Sequence, residues 1–350
     1  MDVNKPLVSV MIPNYNYGDY LANCFDSLLN QTYTNIDVYF RDNDSTDRSF
    51  EIAMSYFDKF REKGIPFMIA NNRRNVGSSR NTQLLLKERE GKYEYVLASD
   101  DYIAPTFIET CVKIFEEHPT VSMVMTHRKE VDENGNVKES LPFYNQNCII
   151  PAEEQLGVFM MAGIAIPGQR MGNPALTKPI QNFFKVHNVA GDWYDNYLYA
   201  CCGDIAYVKE PLCYYRVHSG NETSVSEDRL VGTFEHFLLL DSFVHIADAF
   251  GFSKPQKRYD EAVRKLGSMC LRYALKMYQN NKSAIARRYL LLALVYDESL
   301  KEREEYRLLF ELQEVQGEAF EQKLKAYESR FCLERTKSYD PPEGAMPLDI

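Results

Sequence analysis

Short apolar runs alternate with amphipathic stretches through the first hundred residues. Residues 7–12, 36–40, 66–70 and 95–98 are apolar and bounded by turn residues. That is the pattern of strands buried in a parallel sheet. Between them, Leu21, Cys24, Phe25, Leu28 and Leu29 keep helical spacing, as do Phe50, Ile52, Ala53, Tyr56, Phe57 and Phe60 up to Gly64. A third helix runs through Leu84, Leu85 and Leu86. Ser45 or Thr46, in the turn after the second run, is placed to cap the following helix. The β-α-β-α-β-α-β rhythm predicts a doubly wound, mostly parallel α/β sheet flanked by helices.

Further on, the pattern predicts a helix over 107–117, a strand over 121–126 and a hairpin turning at Glu133-Asn-Gly-Asn136. Asn-Gly there favours a type I′ turn. Residues 141–188 hold Pro, Gly, Met and Phe without a steady period, as an insertion over a site or an irregular wall would. A short helix over 192–201, a strand over 205–208 and an extended piece over 211–217 follow. From about Asp228 to Arg330 the chain reads as mainly α-helical, broken near 251–255 and 280–283. Residues 336–350, with Pro341-Pro342, read as a flexible tail. The expected organisation is an α/β domain over 1–225, a helical C-terminal domain over 226–335 and the tail.

Composition narrows the function classes. The net charge of -10 argues against a nucleic-acid partner bound through phosphates, though not against a local nucleotide pocket. The 8 Cys form no CxxC pair, so zinc-ribbon and thioredoxin-like sites are not expected, and scattered buried thiols in a reducing compartment are. No secretory signal is visible in residues 1–10, and the weakly polar stretch 156–167 is too short to span a bilayer. The expectation is a cytoplasmic protein, with peripheral contact at the inner face of the membrane left open.

The candidate chemistry lies at the carboxyl ends of the strands, where open α/β sheets bind ligands. These ends carry Asn14, then Asp42-Asn43-Asp44, then residues 71–75, then Asp100-Asp101. Adjacent carboxylates resist joint ionisation unless something positive holds them, and hard oxygen ligands suit Mg²⁺ or Mn²⁺. A solvated strand-to-helix turn is the plainer reading of the same pair.

Six segments, in order, resemble the family 2 glycosyltransferases over residues 6–220. They are Val8-Ser-Val-Met-Ile-Pro-Asn-Tyr-Asn16, Asp42-Asn-Asp-Ser-Thr-Asp47, Asn75-Val-Gly-Ser-Ser-Arg-Asn81, Ser99-Asp100-Asp101, Gly191-Asp-Trp193 and Tyr214-Tyr-Arg-Val-His218. The resemblance implies a GT-A fold and inverting, non-processive transfer from a nucleotide-sugar, UDP by family habit, to a glycan or glycolipid acceptor. Polysaccharide, lipid-linked oligosaccharide or glycoprotein glycan synthesis would be the setting.

It also implies roles. Pro13, Asn14, Tyr15, Asp42, Asn75, Gly77, Arg80 and Asp100 would bind the donor, with Asp42 accepting from uracil and Asp100 holding the ribose. Asp101 would hold the metal and His218 either the metal or the donor phosphates. Asp192 would be the general base. Trp193 and Arg216 would line the acceptor or sugar pocket, and loops such as 163–178 would read the sugar. Each residue has a plainer role: a helix cap for Asp42 and Asp192, a surface cation for Arg80, a helix start for Gly77, core packing for Trp193 and Tyr215. Many relatives have an acid at position 98 and a Glu at 191, where this chain has Ala98 and Gly191. The Q-x-x-R-W motif of processive synthases is missing. The competing readings are a catalytically weak sugar-nucleotide-binding module acting through its helical part, a dehydrogenase, and a sugar nucleotidyltransferase, whose Gly-rich, basic first loop is absent here. The dehydrogenase is disfavoured because no G-x-G-x-x-G follows the first strand. Homo-oligomerisation through the C-terminal helices is left open.

Overall fold

The computed structural model describes residues 5–180, 190–218, 227–332 and 335–350. They divide into two compact units, one of residues 1–159, 163–218 and 337–350, the other of 160–162 and 219–336.

The first unit is built on a mixed sheet with the strand order β11-β8-β10-β6-β9-β4-β1-β2-β3. Strands β1 (Val8–Asn14), β2 (Ile36–Asp42), β3 (Phe67–Asn71) and β4 (Tyr93–Val96) form at the apolar runs and pair in parallel, with β4 lying two residues earlier than the expected 95–98 because it pairs Tyr93 with Val8. Helices α1 (Gly18–Leu29), α2 (Ser49–Glu62) and α3 (Ser78–Glu88) are the amphipathic segments between them. Phe25 fixes one face of the sheet by packing against Phe40, Tyr56, Phe60 and Phe67. Met11, Tyr39 and Leu85 form a smaller cluster with α3. The register aligns Asn14 with Asp42 and Asp42 with Asn71, so these strand ends form one row along a single sheet edge.

Beyond β4 come β5 (Tyr102–Ile103), α4 (Phe107–Glu117), β6 (Val121–Val131) and β7 (Val137–Lys138). The hairpin joining β6 to β7 is not the expected type I′ turn. Of its residues only Gly135 has positive φ, and Val131 faces Val137 across a longer loop. The Asp132 carboxylate organises that loop by accepting from the N–H groups of Asn134 and Asn136.

The stretch without a period, 141–188, contributes β8 (Cys148–Ile150), α5 (Ala152–Phe159) and β9 (Arg170–Gly172). β9 sits between β4 and β6 and is antiparallel to both. Helix α6 (Gly191–Cys202) leads into β10 (Asp204–Arg216), which fuses the two extended pieces expected at 205–208 and 211–217. Register shifts around Pro211 make this possible, because an irregularity relieves a sheet of proline's missing N–H.

The C-terminal stretch expected to be mobile instead belongs to the first unit. β11 (Met346–Pro347) pairs with β8, Asn145 bonds Asp340, and Leu348 is buried.

The second unit is helical, as the sequence implies: α7 (Val231–Phe250), α8 (Lys254–Gln279), α9 (Ser283–Tyr296), α10 (Glu304–Glu311) and α11 (Glu318–Phe331). Its core includes Leu271, Ala274, Tyr278, Tyr289, Leu290 and Ala293. A Cβ at Gly267 would lie 2.9 Å from the Ala293 carbonyl oxygen, so glycine lets α8 and α9 approach. Among the described residues no helix is long and apolar enough to cross a membrane.

Candidate active site

The turn after β4 brings Asp100 and Asp101 to the sheet edge, both almost fully buried. The end of β10 holds them there. The Arg216 N–H donates to Asp101 Oδ1 at 2.9 Å, and its Nε donates to the Asp100 carbonyl at 3.0 Å. Its Nη1 donates to the Asp132 carbonyl at 3.1 Å, while the guanidinium packs on Tyr20. Arg216 is 2% exposed, so it braces the acidic turn and does not line an open sugar pocket.

His218 Nε2 lies 3.2 Å from Asp100 Oδ2, with the rings of Tyr17 and Tyr20 against the imidazole. The expected metal pair was Asp101 and His218, but it is Asp100 that touches His218. Burial pushes the Asp101 carboxyl well above the usual carboxylate range, and the charge of Asp100 adds to this. Burial also raises Asp100, against the opposing hydrogen bond from His218.

Asp42 has no exposed surface, and its carboxylate already accepts from Asn14 Nδ2 (2.7 Å), the Ser45 N–H (2.9 Å) and the Ser45 hydroxyl (2.6 Å). A base could reach it only by displacing one of these donors. Ser45 and Thr46 do not cap α2, since their side chains bond within the β1 and β2 turns, to Asp42 and Asn16. Asp47 serves both helix starts, accepting from the N–H groups of Gly18 and Ser49. Pro13 lies in β1 opposite Arg41, and Tyr15 is 42% exposed beside it.

An amide network that the sequence reading missed orders the next loop. Asn43 Oδ1 accepts from Asn72 and the Val76 N–H, and its Nδ2 donates to Asn75. Asn75 in turn accepts from the Gly77 N–H. Gly77 precedes α3 at φ 85°, a conformation that favours glycine. Arg80 is exposed on α3 and reaches Gln83.

Asp192 lies in the first turn of α6, and its Oδ1 accepts from the Trp193 N–H at 2.8 Å. The helix start thus holds one carboxylate oxygen. Burial raises this carboxyl too, opposed by that N–H and by the charges of Arg170 and Arg128. Trp193 is buried, and its indole N–H donates to the Phe159 carbonyl at 2.6 Å, which is core packing and not a pocket wall.

Asp195, one turn along α6, pairs with Arg170 at 3.3 Å. Its spacing from Asp192 was a visible clue, because residues three apart share a helix face. Arg128 carried no such clue, whereas Tyr215 lies in the Tyr214-Tyr-Arg-Val-His218 segment and was open to either pocket lining or core packing. Burial raises the Tyr215 hydroxyl. Asp101 adds to that, Arg128 opposes it, and Asp100 and Asp192 add further. A Cβ at Gly168 would lie 3.2 Å from Asp101 Oδ2, and Asn196 on α6 donates to the Ala165 carbonyl at 2.7 Å, so residues 165–168 run from the acidic turn to α6.

Among the described residues no three His, Cys, Asp or Glu side chains gather as a metal cluster. The donor types nevertheless suit a hard divalent cation, with two carboxylates and an imidazole around Asp100. Such ions are commonly held by one or two carboxylates, with substrate phosphates completing the shell.

Residues 9–172 match the family described as Glycosyl transferase family 2. The chondroitin synthase of Escherichia coli is 30% identical over 223 residues, which cover 63% of this chain and 30% of that protein. The chain thus spans less than a third of this relative's length. S. aureus TarS 1-349, solved in complex with UDP-GlcNAc, superposes with a TM-score of 0.51 at 18% identity, over 84% of this chain and 91% of that one. The mannosyltransferase PcManGT from Pyrobaculum calidifontis, in complex with GDP-Man and Mn2+, gives a TM-score of 0.54 at 15% identity, over 93% and 87%. The fold is GT-A, as the sequence led us to expect.

Proposed function

We propose, on the premise that residues 9–172 belong to glycosyl transferase family 2, that this chain is an inverting glycosyltransferase using a nucleotide-sugar donor. The observation that carries the reading is the buried pair Asp100–Asp101 at the sheet edge, braced by Arg216 and tied through residues 165–168 to α6, which carries Asp192. One side of that arrangement suits the donor diphosphate and the other an acceptor hydroxyl.

In the proposed reaction the acceptor oxygen attacks the anomeric carbon from the face opposite the diphosphate. The bond from that carbon to the phosphate oxygen breaks and its electron pair leaves with the nucleoside diphosphate. Asp192 takes the acceptor proton as general base. Arg170 and Arg128 favour the ionised form of Asp192, which that role requires. Asp100, Asp101 and His218 would hold a divalent cation, Mn²⁺ or Mg²⁺. When bound, that cation supplies charge neutralisation at the diphosphate.

Asn14, Asp42 and the loop ordered by Asn43 form the donor edge, with Asn75, Gly77 and Arg80 beside it. UDP is the first donor to test, because the TarS structure holds UDP-GlcNAc; the GDP-Man complex of PcManGT makes GDP-sugars the second. The acceptor class is a glycan or glycolipid. Thermal-shift screening of nucleotide-sugars with and without Mn²⁺, followed by assay of nucleoside diphosphate release, tests the reading. Stabilisation by one donor class with metal-dependent release is expected. No stabilisation by any nucleotide-sugar, and no release, would overturn it.

A further inference from the structure

Three guanidiniums surround the acids at the proposed centre, and they differ in how many of their donors are already used. Arg216 is buried, and its Nε and Nη1 are spent on backbone carbonyls. Arg170 is buried against Asp195 and over the Tyr199 ring. Arg128, in the C-terminal half of β6, is partly exposed. Among the described residues the guanidinium makes one hydrogen bond, from Nη1 to Gln169 Oε1 at 3.1 Å. Its guanidinium also lies 5.2 Å from the centre of the Tyr215 ring.

Gln169 is a fixed anchor. Its Oε1 also accepts from the Ile166 N–H at 3.3 Å, and its Nε2 donates to the Thr126 carbonyl at 2.5 Å. The same segment is tied to α6, where Asn196, one turn after Asp192, donates to the Ala165 carbonyl at 2.7 Å. On the other side, a Cβ at Gly168 would lie 3.2 Å from Asp101 Oδ2. Residues 165–169 therefore tether Arg128 between the metal-side acid and the helix of the base.

We propose that Arg128 is a catalytic residue that binds the departing diphosphate through the guanidinium donors Gln169 leaves open. The inference rests on the glycosyltransferase reading and names the residue that meets the leaving group in it. A planar guanidinium anchored at one nitrogen presents its remaining N–H groups in a fixed fork, which matches phosphate oxygens. As the bond from the anomeric carbon to the phosphate oxygen breaks, negative charge grows on that oxygen. A donor already in place meets the charge without reorganisation.

The test compares the full chain with Arg128→Gln and Arg128→Lys, using UDP, UMP, GDP and GMP as probes in calorimetry. Donor turnover is measured in parallel with Mn²⁺ at saturating nucleotide-sugar. For Arg128→Gln, diphosphate affinity should fall at least tenfold while monophosphate affinity holds. Turnover should fall about 10²-fold, the scale seen when one charge-stabilising donor is removed. Arg128→Lys keeps the charge without the fork and should recover part of both losses. Should Arg128→Gln fail to fold, Arg128→Lys carries the test through its own diphosphate-to-monophosphate ratio, which should fall below the parent's. A folded variant with the parent's ratio and the parent's turnover would overturn the proposal. If the parent chain binds none of the four nucleotides, the glycosyltransferase reading itself fails, and this assignment with it.

Discussion

The backbone N–H of Arg216 donates to Oδ1 of Asp101 at 2.9 Å, joining the last residue of β10 to the acidic turn after β4. The Arg216 side chain then reaches past this bond to the carbonyls of Asp100 and Asp132. Arg216→Lys keeps the charge but cannot span both acceptors from beneath Tyr20. Leaving buried acceptors unpaired costs about 1–3 kcal/mol each. Urea unfolding of Arg216→Lys should show a loss of that order together with weaker Mn²⁺-dependent nucleotide binding. Unchanged stability with unchanged binding would mean that the turn holds its shape without the brace.

Asp192→Asn keeps the shape of the α6 start and removes the proposed base. Transfer should drop by about 10²–10⁴-fold while donor affinity is retained. Burial raises the Asp192 carboxyl, so in the parent the acid limb of the rate profile should lie above the ordinary aspartate range, with activity lost as pH falls through it. That limb should vanish from whatever activity the variant retains. Equal transfer rates for variant and parent would remove Asp192 from the mechanism.

Burial raises the Asp195 carboxyl to about 6, against the opposing charge of Arg170 and with Asp192 adding to the rise. Between the ordinary value of about 4 and this raised value, the folded chain binds the proton more tightly than the unfolded chain. The stability this contributes is fully present below about pH 4 and is lost as pH rises through about 6. Parent-minus-variant stability for Asp195→Asn, from urea melts across that window, should therefore fall as pH rises. A flat difference would show that Asp195 titrates in its ordinary range.

Gly172 closes β9 against α6, where a Cβ would lie 2.6 Å from the Tyr199 ring. Tyr199 is buried and carries the Arg170 guanidinium at 5.0 Å. Overpacking of this kind costs about 1–3 kcal/mol. Gly172→Ala should lose stability on that scale in thermal unfolding, and transfer should weaken as Arg170 shifts relative to Asp192. A variant as stable as the parent would mean that the ring moves aside freely.

Local pattern was enough for the parallel run β4-β1-β2-β3 of the sheet. Apolar runs between β1 and β4, the helical spacing of Leu21 to Leu29 and the polar strand ends at Asn14, Asp42 and Asp100 all depend on neighbours a few residues away, and such signals survive in a linear reading. The positions of Asp101 after β4 and of Asp192 in the first turn of α6 were legible for the same reason, each in a short motif of its own. The tertiary structure decided what distant partners decide. β9 has only three residues, an arginine and a glycine among them, and becomes a strand because β4 and β6 both offer it hydrogen bonds. The last residues find their place on β8 by the same backbone pairing. Arg216 became a brace, Trp193 a core residue and Arg128 a cation anchored on Gln169 through contacts made across long stretches of chain. Burial and pairing are properties of the folded surroundings, and no periodicity within a segment encodes them.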